Sequence, residues 1–247
     1  YWQEGNNNKD GYKSNLKSTM DFAMQKAIFE GIYEEENWNT GLIKIYENLA
    51  NDFYYADPKS LLIFNDNHDM SRIFTQMKED VSKTKMAVSL MLTLPRIPQI
   101  LYGTEILMED SAKPGDHGLI RTDFPGGWKN DKSNAFTGYN LENSQLEMQN
   151  YLKILLNFRK NSKAIHKGET LHYAPKDGIY LLSRKYEDEI VIYVVNKNDK
   201  SVNLDTDRFI EIDANGKIFT DIHTEKTYKW SGEIQIKNNS SFILTNK

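Results

Sequence analysis

Leu61-Leu62-Ile63-Phe64-Asn65-Asp66-Asn67-His68-Asp69 is the most informative segment of this chain. Its first four residues are apolar and follow Pro58-Lys59-Ser60, a pattern that predicts a short buried strand. An amide, an imidazole and a carboxylate then come one after another at 67–69. In α/β barrels, functional side chains project from the C-terminal ends of buried parallel strands. The stretch therefore predicts a strand of that kind with functional groups at its end.

A second segment repeats this arrangement, because an apolar run over 97–102 leads into Gly103-Thr104-Glu105. We place its strand at 99–102. Apolar residues at helical spacing predict helices from Gln25 onward and over 41–53, 81–94 and 146–160. We also predict a short strand at 18–24. The long segment between 103 and 145 shows little periodicity, and such loops in compact domains are usually functional.

The pattern changes to short β segments after residue 164. The clearest are Ile179–Arg184, Glu189–Val195 and Phe242–Leu244, which are rich in β-branched and aromatic residues. Asp177-Gly178 and Asn215-Gly216 are strong turn signals between them. The region therefore predicts an antiparallel β-sandwich, and we divide the chain into residues 1–163 and 164–247.

Composition excludes several classes of function. The 247 residues are 39% hydrophobic and 27% charged, with a net charge of −4 and a pI near 5.8. Nucleic-acid binding through a basic surface is therefore not expected. Cysteine is absent, which excludes disulfides and cysteine-ligated metals. No apolar run approaches the roughly 18–20 residues that span a bilayer, so we expect no membrane insertion.

Three motifs in order resemble glycoside hydrolase family 13, the α-amylase family. They are Phe64–Asp69, Ile97–Glu105 and Gly115–Trp128. The third, with its Arg121-Thr122-Asp123-Phe124-Pro125-Gly126-Gly127-Trp128 run, is most similar to the neopullulanase and cyclomaltodextrinase branch. The resemblance implies an α/β fold: the C-terminal part of a (β/α)8 TIM barrel, about strands six to eight, followed by an all-β antiparallel sandwich domain. Met20-Asp21-Phe22 resembles the sixth strand.

The resemblance also implies a site. Asp69 would be the catalytic carboxylate that stabilises the transition state by holding the 2-OH and 3-OH of a glucose unit. Arg72 would border the cleft, and Asp116 and Arg121 would hold the next sugar. The implied substrate-binding set is Asn67, His68, Arg72, Asp116 and Arg121, with no metal ligand.

The nucleophilic Asp and the general-acid Glu of this family precede the Met-Asp-Phe segment. Only seventeen residues lie upstream of Ser18, and Glu4 belongs to a Gly/Asn-rich loop over 4–11. We therefore expect a fragment of a longer α-glucan hydrolase, inactive alone. Its expected partners are an α-glucan oligosaccharide and the missing N-terminal half of the barrel, with a homo-oligomer left open. We expect no cofactor in this chain, leave calcium open for the intact enzyme, and expect a periplasmic or secreted location by resemblance.

Three alternatives remain open at this stage: a non-catalytic relative, a glucan transferase, and a carbohydrate-binding module over 165–247. Exposed aromatic residues on one sandwich face would favour the module. Other polar residues receive structural interpretations. We expect Asp66 to cap or solvate the turn and Glu105 to pair structurally, and the acidic run 34–36 to be solvated. The sandwich histidines, expected at the surface or rim, are His166, His172 and His223.

Overall fold

The computed structural model describes residues 3–5 and 13–247; most of the predicted Gly/Asn-rich loop, residues 6–11, lies outside them. The N-terminal part is helical around a short parallel ribbon. Its helices are α1 Phe22–Tyr33, α2 Ile43–Ala50, α3 Ile73–Gln76, α4 Val81–Thr93, α5 His117–Ile120, α6 Asn143–Asn161 and α7 Lys163–Lys167. Short 3-10 turns lie at Asn51–Tyr54, Pro58–Ser60 and Thr104–Ile106.

The ribbon consists of three parallel segments, with β1 Leu62–Ile63 in the middle and β2 Ile97–Pro98 on one side. On the other side Met20 forms a parallel bridge to Leu62. The Ile97 N–H donates to the Leu61 carbonyl at 2.9 Å, and the Gln99 N–H donates to the Ile63 carbonyl at 2.7 Å. Helix α1 separates the first two segments and α4 the last two. This is the alternation of parallel strand and helix that the sequence predicted.

Two predicted strands are wrong in position. The strand expected at 18–24 is reduced to the bridge at Met20, because the Asp21 side chain accepts a hydrogen bond from the Met24 N–H and starts α1 at Phe22, before the predicted Gln25. The strand expected at 99–102 lies at Ile97–Pro98 instead. Alternate residues of a strand direct their N–H groups to opposite neighbours. Pro98 therefore removes no donor from the ladder with β1.

The C-terminal part is antiparallel. Its strands are β3 Glu169–Lys176, β4 Ile179–Tyr186, β5 Glu189–Asn196, β6 Val202–Asp205, β7 Ile218–Asp221, β8 Thr227–Lys229, β9 Glu233–Ile236 and β10 Ser240–Thr245. Six of them form one sheet in the order β3-β4-β5-β10-β7-β8, and β6 pairs with β9 in a second sheet. The predicted turn at Asp177-Gly178 joins β3 to β4, with both residues at positive φ.

Two neighbouring strands of the large sheet, β4 and β5, are buried on both faces. On β4 and β5, Tyr180 and Tyr193 face the helices of the N-terminal part, in one continuous core with α4 and α6. Their neighbours Leu181 and Val194 face a second core beneath the small sheet. The Tyr193 hydroxyl donates to the Met86 carbonyl in α4 at 3.1 Å. The large sheet therefore belongs to both hydrophobic cores.

His223 departs from the prediction of a surface or rim residue. Its ring stacks on Tyr151 of α6 with centroids 3.7 Å apart, and both ring nitrogens are buried without a hydrogen-bond partner among the described residues. Burial lowers the pKa of His223 to about 4. His172 is half-buried against Tyr46, whereas His166 is exposed as predicted.

Within 164–247, all of which the structure describes, the large hydrophobic side chains with high exposure are Leu171, Ile210 and Ile218. None is aromatic, so the predicted signature of a carbohydrate-binding module is not met on the sandwich. No helix in the described ranges is long and apolar enough to cross a membrane.

Candidate active site

The turn after β1 presents two polar side chains to solvent. Asn67 is buried, and its Oδ1 accepts a hydrogen bond from the Asp69 N–H at 2.8 Å. This contact closes a tight side-chain turn of the kind that Asn favours. Its consequence is that the side chains of His68 and Asp69 are 64% and 60% exposed, and the His68 Nε2 lies 3.2 Å from the Asp69 carboxylate. Both side chains therefore lie at the exposed C-terminal end of β1, where the sequence predicted functional groups.

Arg121 completes this rim cluster, which we define as His68, Asp69, His117 and Arg121. The Arg121 Nη2 donates to the Asp69 Oδ1 at 2.8 Å, and its Nε donates to the His68 carbonyl at 2.9 Å. The same Nη2 lies 2.9 Å from the Nδ1 of His117. The guanidinium thus fixes the backbone and the carboxylate of the same turn. His117 was not recognised in the sequence, although it stands four residues before Arg121, one turn away on a helix.

Asp116 has a structural contact that explains its position. Its Oδ1 accepts hydrogen bonds from the Gly118 and Leu119 N–H groups and caps α5, the helix that carries His117 and leads to Arg121. Its Oδ2 pairs with Lys113 at 2.8 Å, and this hydrogen bond lowers the pKa of Asp116. The predicted sugar contact of Asp116 stays a prediction beside this capping role.

Arg72 does not border a cleft, contrary to the prediction. It is almost fully buried. Its Nη1 donates to the Tyr102 carbonyl at 2.7 Å, and its Nε and Nη2 donate to the Ile120 carbonyl at 3.0 and 2.6 Å. The reason is the length of the loop after β2, which folds back over the turn after β1 and encloses the guanidinium. Arg72 therefore joins the two strand ends to α5 from below the rim cluster.

Two carboxylates hold the same platform, which we define as Asp66, Arg72 and Asp110. The Asp66 Oδ2 accepts the Ile73 N–H at 2.6 Å, and burial raises the pKa of Asp66 to about 6. Burial alone would also raise the pKa of Asp110. Hydrogen bonds from Gly115, Thr75, Ser71 and the Arg72 N–H outweigh it and lower that pKa. Asp66 was predicted to cap or solvate the turn. It accepts the first backbone N–H of α3, and its side chain is buried.

Asp110 was missed in the sequence because nothing marks it locally. It lies 38 residues from Arg72, and only the folded loop brings the two together. Glu105 was predicted to pair with a nearby Arg. It is half-buried and instead accepts the Gly103 N–H through its Oε2 at 2.8 Å.

The arrangement can bind a polyhydroxylated ligand. It offers a carboxylate acceptor, an imidazole that can donate or accept, and a guanidinium donor at one exposed strand end. Tyr102 and Trp128, which are exposed on the same loop system, add flat apolar faces. Among the described residues, no group of three or more His, Cys, Asp or Glu side chains could hold a metal ion.

Comparison with known proteins identifies both parts of the chain. The family model "Alpha amylase, catalytic domain" matches residues 2–168, and the "Cyclo-malto-dextrinase C-terminal domain" matches residues 170–245. Together with the parallel ribbon and the antiparallel sheets, these matches confirm the predicted fold class.

Individual relatives agree. A cyclomaltodextrin glucanotransferase of Paenibacillus macerans is 25% identical over 72% of this chain and 22% of its own length. Alpha-amylase 3 of Dictyoglomus thermophilum is 29% identical over 76% of this chain and 40% of its own. The chain thus spans between about a fifth and two-fifths of these relatives.

Solved structures show the same fold. The α-amylase of Geobacillus thermoleovorans complexed with acarbose superposes with a TM-score of 0.72 at 20% identity, covering 93% of this chain and 48% of that one. AmyP in complex with maltose gives a TM-score of 0.75 at 17% identity, covering 98% and 54%.

Proposed function

Because this chain belongs to the α-amylase family of glycoside hydrolases, we propose that it forms the transition-state-binding side of a retaining α-glucan hydrolase. The whole enzyme would cleave α-1,4-glucosidic bonds in starch, pullulan or cyclodextrin oligosaccharides. The observation that carries the proposal is the rim cluster, in which Asp69 is exposed at a barrel strand end beside Arg121. No other described carboxylate at the three strand ends is exposed in this way.

The chemistry follows from the cluster. Retaining glycosidases pass through an oxocarbenium-like transition state, and hydrogen bonds to the sugar 2-OH that strengthen there supply several kcal/mol. The Asp69 carboxylate would accept hydrogen bonds from the 2-OH and 3-OH of the glucose at the cleavage point. His68 would contact the same hydroxyls. Arg121 holds one carboxylate oxygen at 2.8 Å and so fixes the direction in which Asp69 faces the sugar.

The nucleophile and the general acid would come from another segment of the enzyme. At the end of the first parallel segment, Asp21 is buried and pairs with Arg96 at 2.9 Å. Glu105, after β2, accepts a hydrogen bond from a nearby backbone N–H. Neither is free to attack or protonate a substrate.

The remaining barrel is also the partner that the surface favours. Leu16, Phe22 and Ile97 are exposed beside the outer segments of the ribbon, and unpaired strand edges with apolar neighbours favour association. A calcium site stays open for the whole enzyme, although no group of three or more His, Cys, Asp or Glu side chains among the described residues could hold a metal ion. We also propose export to the periplasm or the medium, which cell fractionation would test.

A glucan transferase is the second candidate, and the glucanotransferases among the relatives favour it. Both reactions share the glycosyl-enzyme intermediate and differ in whether water or a sugar hydroxyl accepts the glycosyl group. Incubation of the whole enzyme with maltoheptaose separates them. Short linear products indicate hydrolysis, and longer or cyclic products indicate transfer.

The experiment that tests the main proposal compares this chain with the longer protein that contains it. The longer protein should release reducing ends from maltooligosaccharides with retention of the α-anomer, seen by NMR at early times. This chain alone should release none. Turnover by the chain alone would mean that its own residues supply the nucleophile and the acid, and inversion by the longer protein would contradict the retaining mechanism.

A further inference from the structure

Trp38 is the most exposed large hydrophobic side chain among the described residues, with 93% of its surface accessible. It lies in a short reverse turn after α1, in which the Asn37 N–H donates to the Thr40 carbonyl at 3.3 Å. The Trp38 N–H itself donates to the Asn37 Oδ1 at 2.8 Å, and the Thr40 hydroxyl donates to the Glu35 carbonyl at 2.7 Å. The turn therefore holds the indole ring in solvent, and the ring adds no hydrophobic burial to the stability of the fold.

A cleft of about 490 Å³ lies beside this ring. One wall comes from the N-terminal part and the other from the β3–β4 hairpin of the sandwich. The side chains that matter for recognition are Glu36, Asn37, Trp38, Glu47, Lys176 and Asp177. The volume falls within the range of small-molecule sites, which combine apolar faces with a few placed polar groups.

Both walls are fixed. On the sandwich side, Asp177 and Gly178 adopt positive φ, and the Asn198 side chain donates to the Asp177 carbonyl at 2.7 Å. Lys197 then ties the sandwich to the end of α1, because its Nζ donates to the Gly31 carbonyl and to the Glu36 carboxylate, each at 2.7 Å. The cleft is therefore preorganised, which reduces the entropy lost on binding.

We propose that this cleft is a second α-glucan-binding site, with Trp38 as the stacking platform. The apolar face of a pyranose ring packs on an aromatic face, and its hydroxyls both donate and accept hydrogen bonds. Glu47 and Asp177 supply acceptors, and Lys176 supplies a donor. Glu36 is already neutralised by Lys197, so the cleft has no strong excess of one charge. This mixture suits a neutral polyhydroxylated ligand better than an anion or a cation.

The cleft is separate from the rim cluster. The helices of a barrel run antiparallel to its strands, and α1 has 12 residues, about 18 Å at 1.5 Å per residue. Trp38 follows the C-terminal end of α1, and Asp69 follows the C-terminal end of β1. The two sites therefore lie at opposite ends of the ribbon. A polymer held at both would gain avidity without any new contact in the active site. The choice of an α-glucan rests on the proposed function.

The test is calorimetric titration of this chain with maltoheptaose. Trp38→Ala should weaken binding at least tenfold, and Trp38→Tyr, which keeps a flat ring, should recover most of it. Phe53→Ala, which removes another exposed aromatic ring outside the cleft, is the matched control for loss of an aromatic surface and should leave this binding unchanged. Circular dichroism melting of each variant confirms folding, which an exposed side chain should not affect.

In the whole enzyme, Trp38→Ala should reduce adsorption to insoluble starch several-fold and leave kcat/KM on maltotriose unchanged. Unchanged maltoheptaose binding in Trp38→Ala would overturn the proposal. Equal binding of cellohexaose would overturn the assignment to α-glucans, and binding of oligolysine instead of sugar would assign the cleft to a cationic partner. If the whole enzyme lacks glucanase activity but the chain binds maltoheptaose through Trp38, the proposed function fails and this inference stands.

Discussion

The rim cluster and the platform beneath it both draw on one short segment, residues 66–72, yet the residues that this segment gives to each have opposite environments. His68 and Asp69 are mostly exposed, whereas Asp66 and Arg72 are nearly free of solvent contact. In the rim the charged groups contact one another and solvent, so they can exchange partners with a ligand. In the platform they are satisfied by backbone groups and hold loops in place. Polar residues therefore indicate where a site lies, but the burial of each side chain decides whether it can contact a ligand or only holds a loop.

The largest effect is expected at the rim. Asp69→Asn in the whole enzyme keeps the size of the side chain and removes the charge to which the proposed function assigns transition-state stabilisation. A loss of several kcal/mol corresponds to about a thousandfold lower kcat. Steady-state kinetics on maltoheptaose measures this, with thermal melting as the control for folding. Near-normal kcat would show that Asp69 has no catalytic role and that its exposure at the rim is not functional.

Arg72→Met should act on stability. The variant keeps an apolar stem of similar length and leaves the Tyr102 and Ile120 carbonyls without their buried donor. Each unsatisfied buried group costs about 1–3 kcal/mol, so we expect a free energy of unfolding lower by roughly 3 kcal/mol. Urea denaturation of this chain measures it. A stable variant with weakened maltooligosaccharide binding would instead return Arg72 to the set of substrate contacts.

Asp66→Asn should change the pH dependence of stability. The pKa of Asp66 rises from its ordinary value to about 6 in the folded state, so the folded state binds the proton more tightly. Stability contributed by this group is then present at low pH and is lost as the pH rises from about 4 to about 6. Asparagine keeps the acceptor for the Ile73 N–H and carries no charge.

Two pKa units correspond to roughly 2–3 kcal/mol, so the variant should be more stable than the parent by up to that amount above pH 6. The difference should vanish near pH 3. Urea midpoints measured between pH 3 and pH 8 would show it, and parallel curves for the two proteins would rule out a protonated Asp66.

The smallest effect concerns Asp116. Asp116→Ala removes the cap of α5 and should lower the melting temperature slightly, and Asp116→Asn should recover most of that loss. Thermal melting of both variants tests the capping role. A raised KM in the asparagine variant, with melting unchanged, would instead support the predicted sugar contact.

The sequence was sufficient for the order of the elements, because strand ends and turn residues are local signals. The resemblance to the family placed Asp69 and Arg121 in one site, but their direct contact, across 52 residues of sequence, was not predicted. Nor was the sequence sufficient for Arg72. Its burial depends on a loop 30 to 48 residues away, and spacing within one segment does not reveal it. The position of β2 was missed for a related reason, since the ladder starts where a neighbouring strand offers partners. The hairpins of the sandwich were easier, because the turn Asp177-Gly178 and alternating burial are encoded within a few residues.

The large sheet that serves two hydrophobic cores has a consequence for anyone dividing this polypeptide. The two family matches meet between residues 168 and 170, which invites a cut at that point to obtain an isolated sandwich. Such a truncation would expose Tyr180, Leu182, Val191 and Tyr193 together. They would form a contiguous hydrophobic surface that favours aggregation. Calorimetry of the undivided chain should accordingly show one melting event, with the two regions losing their structure together.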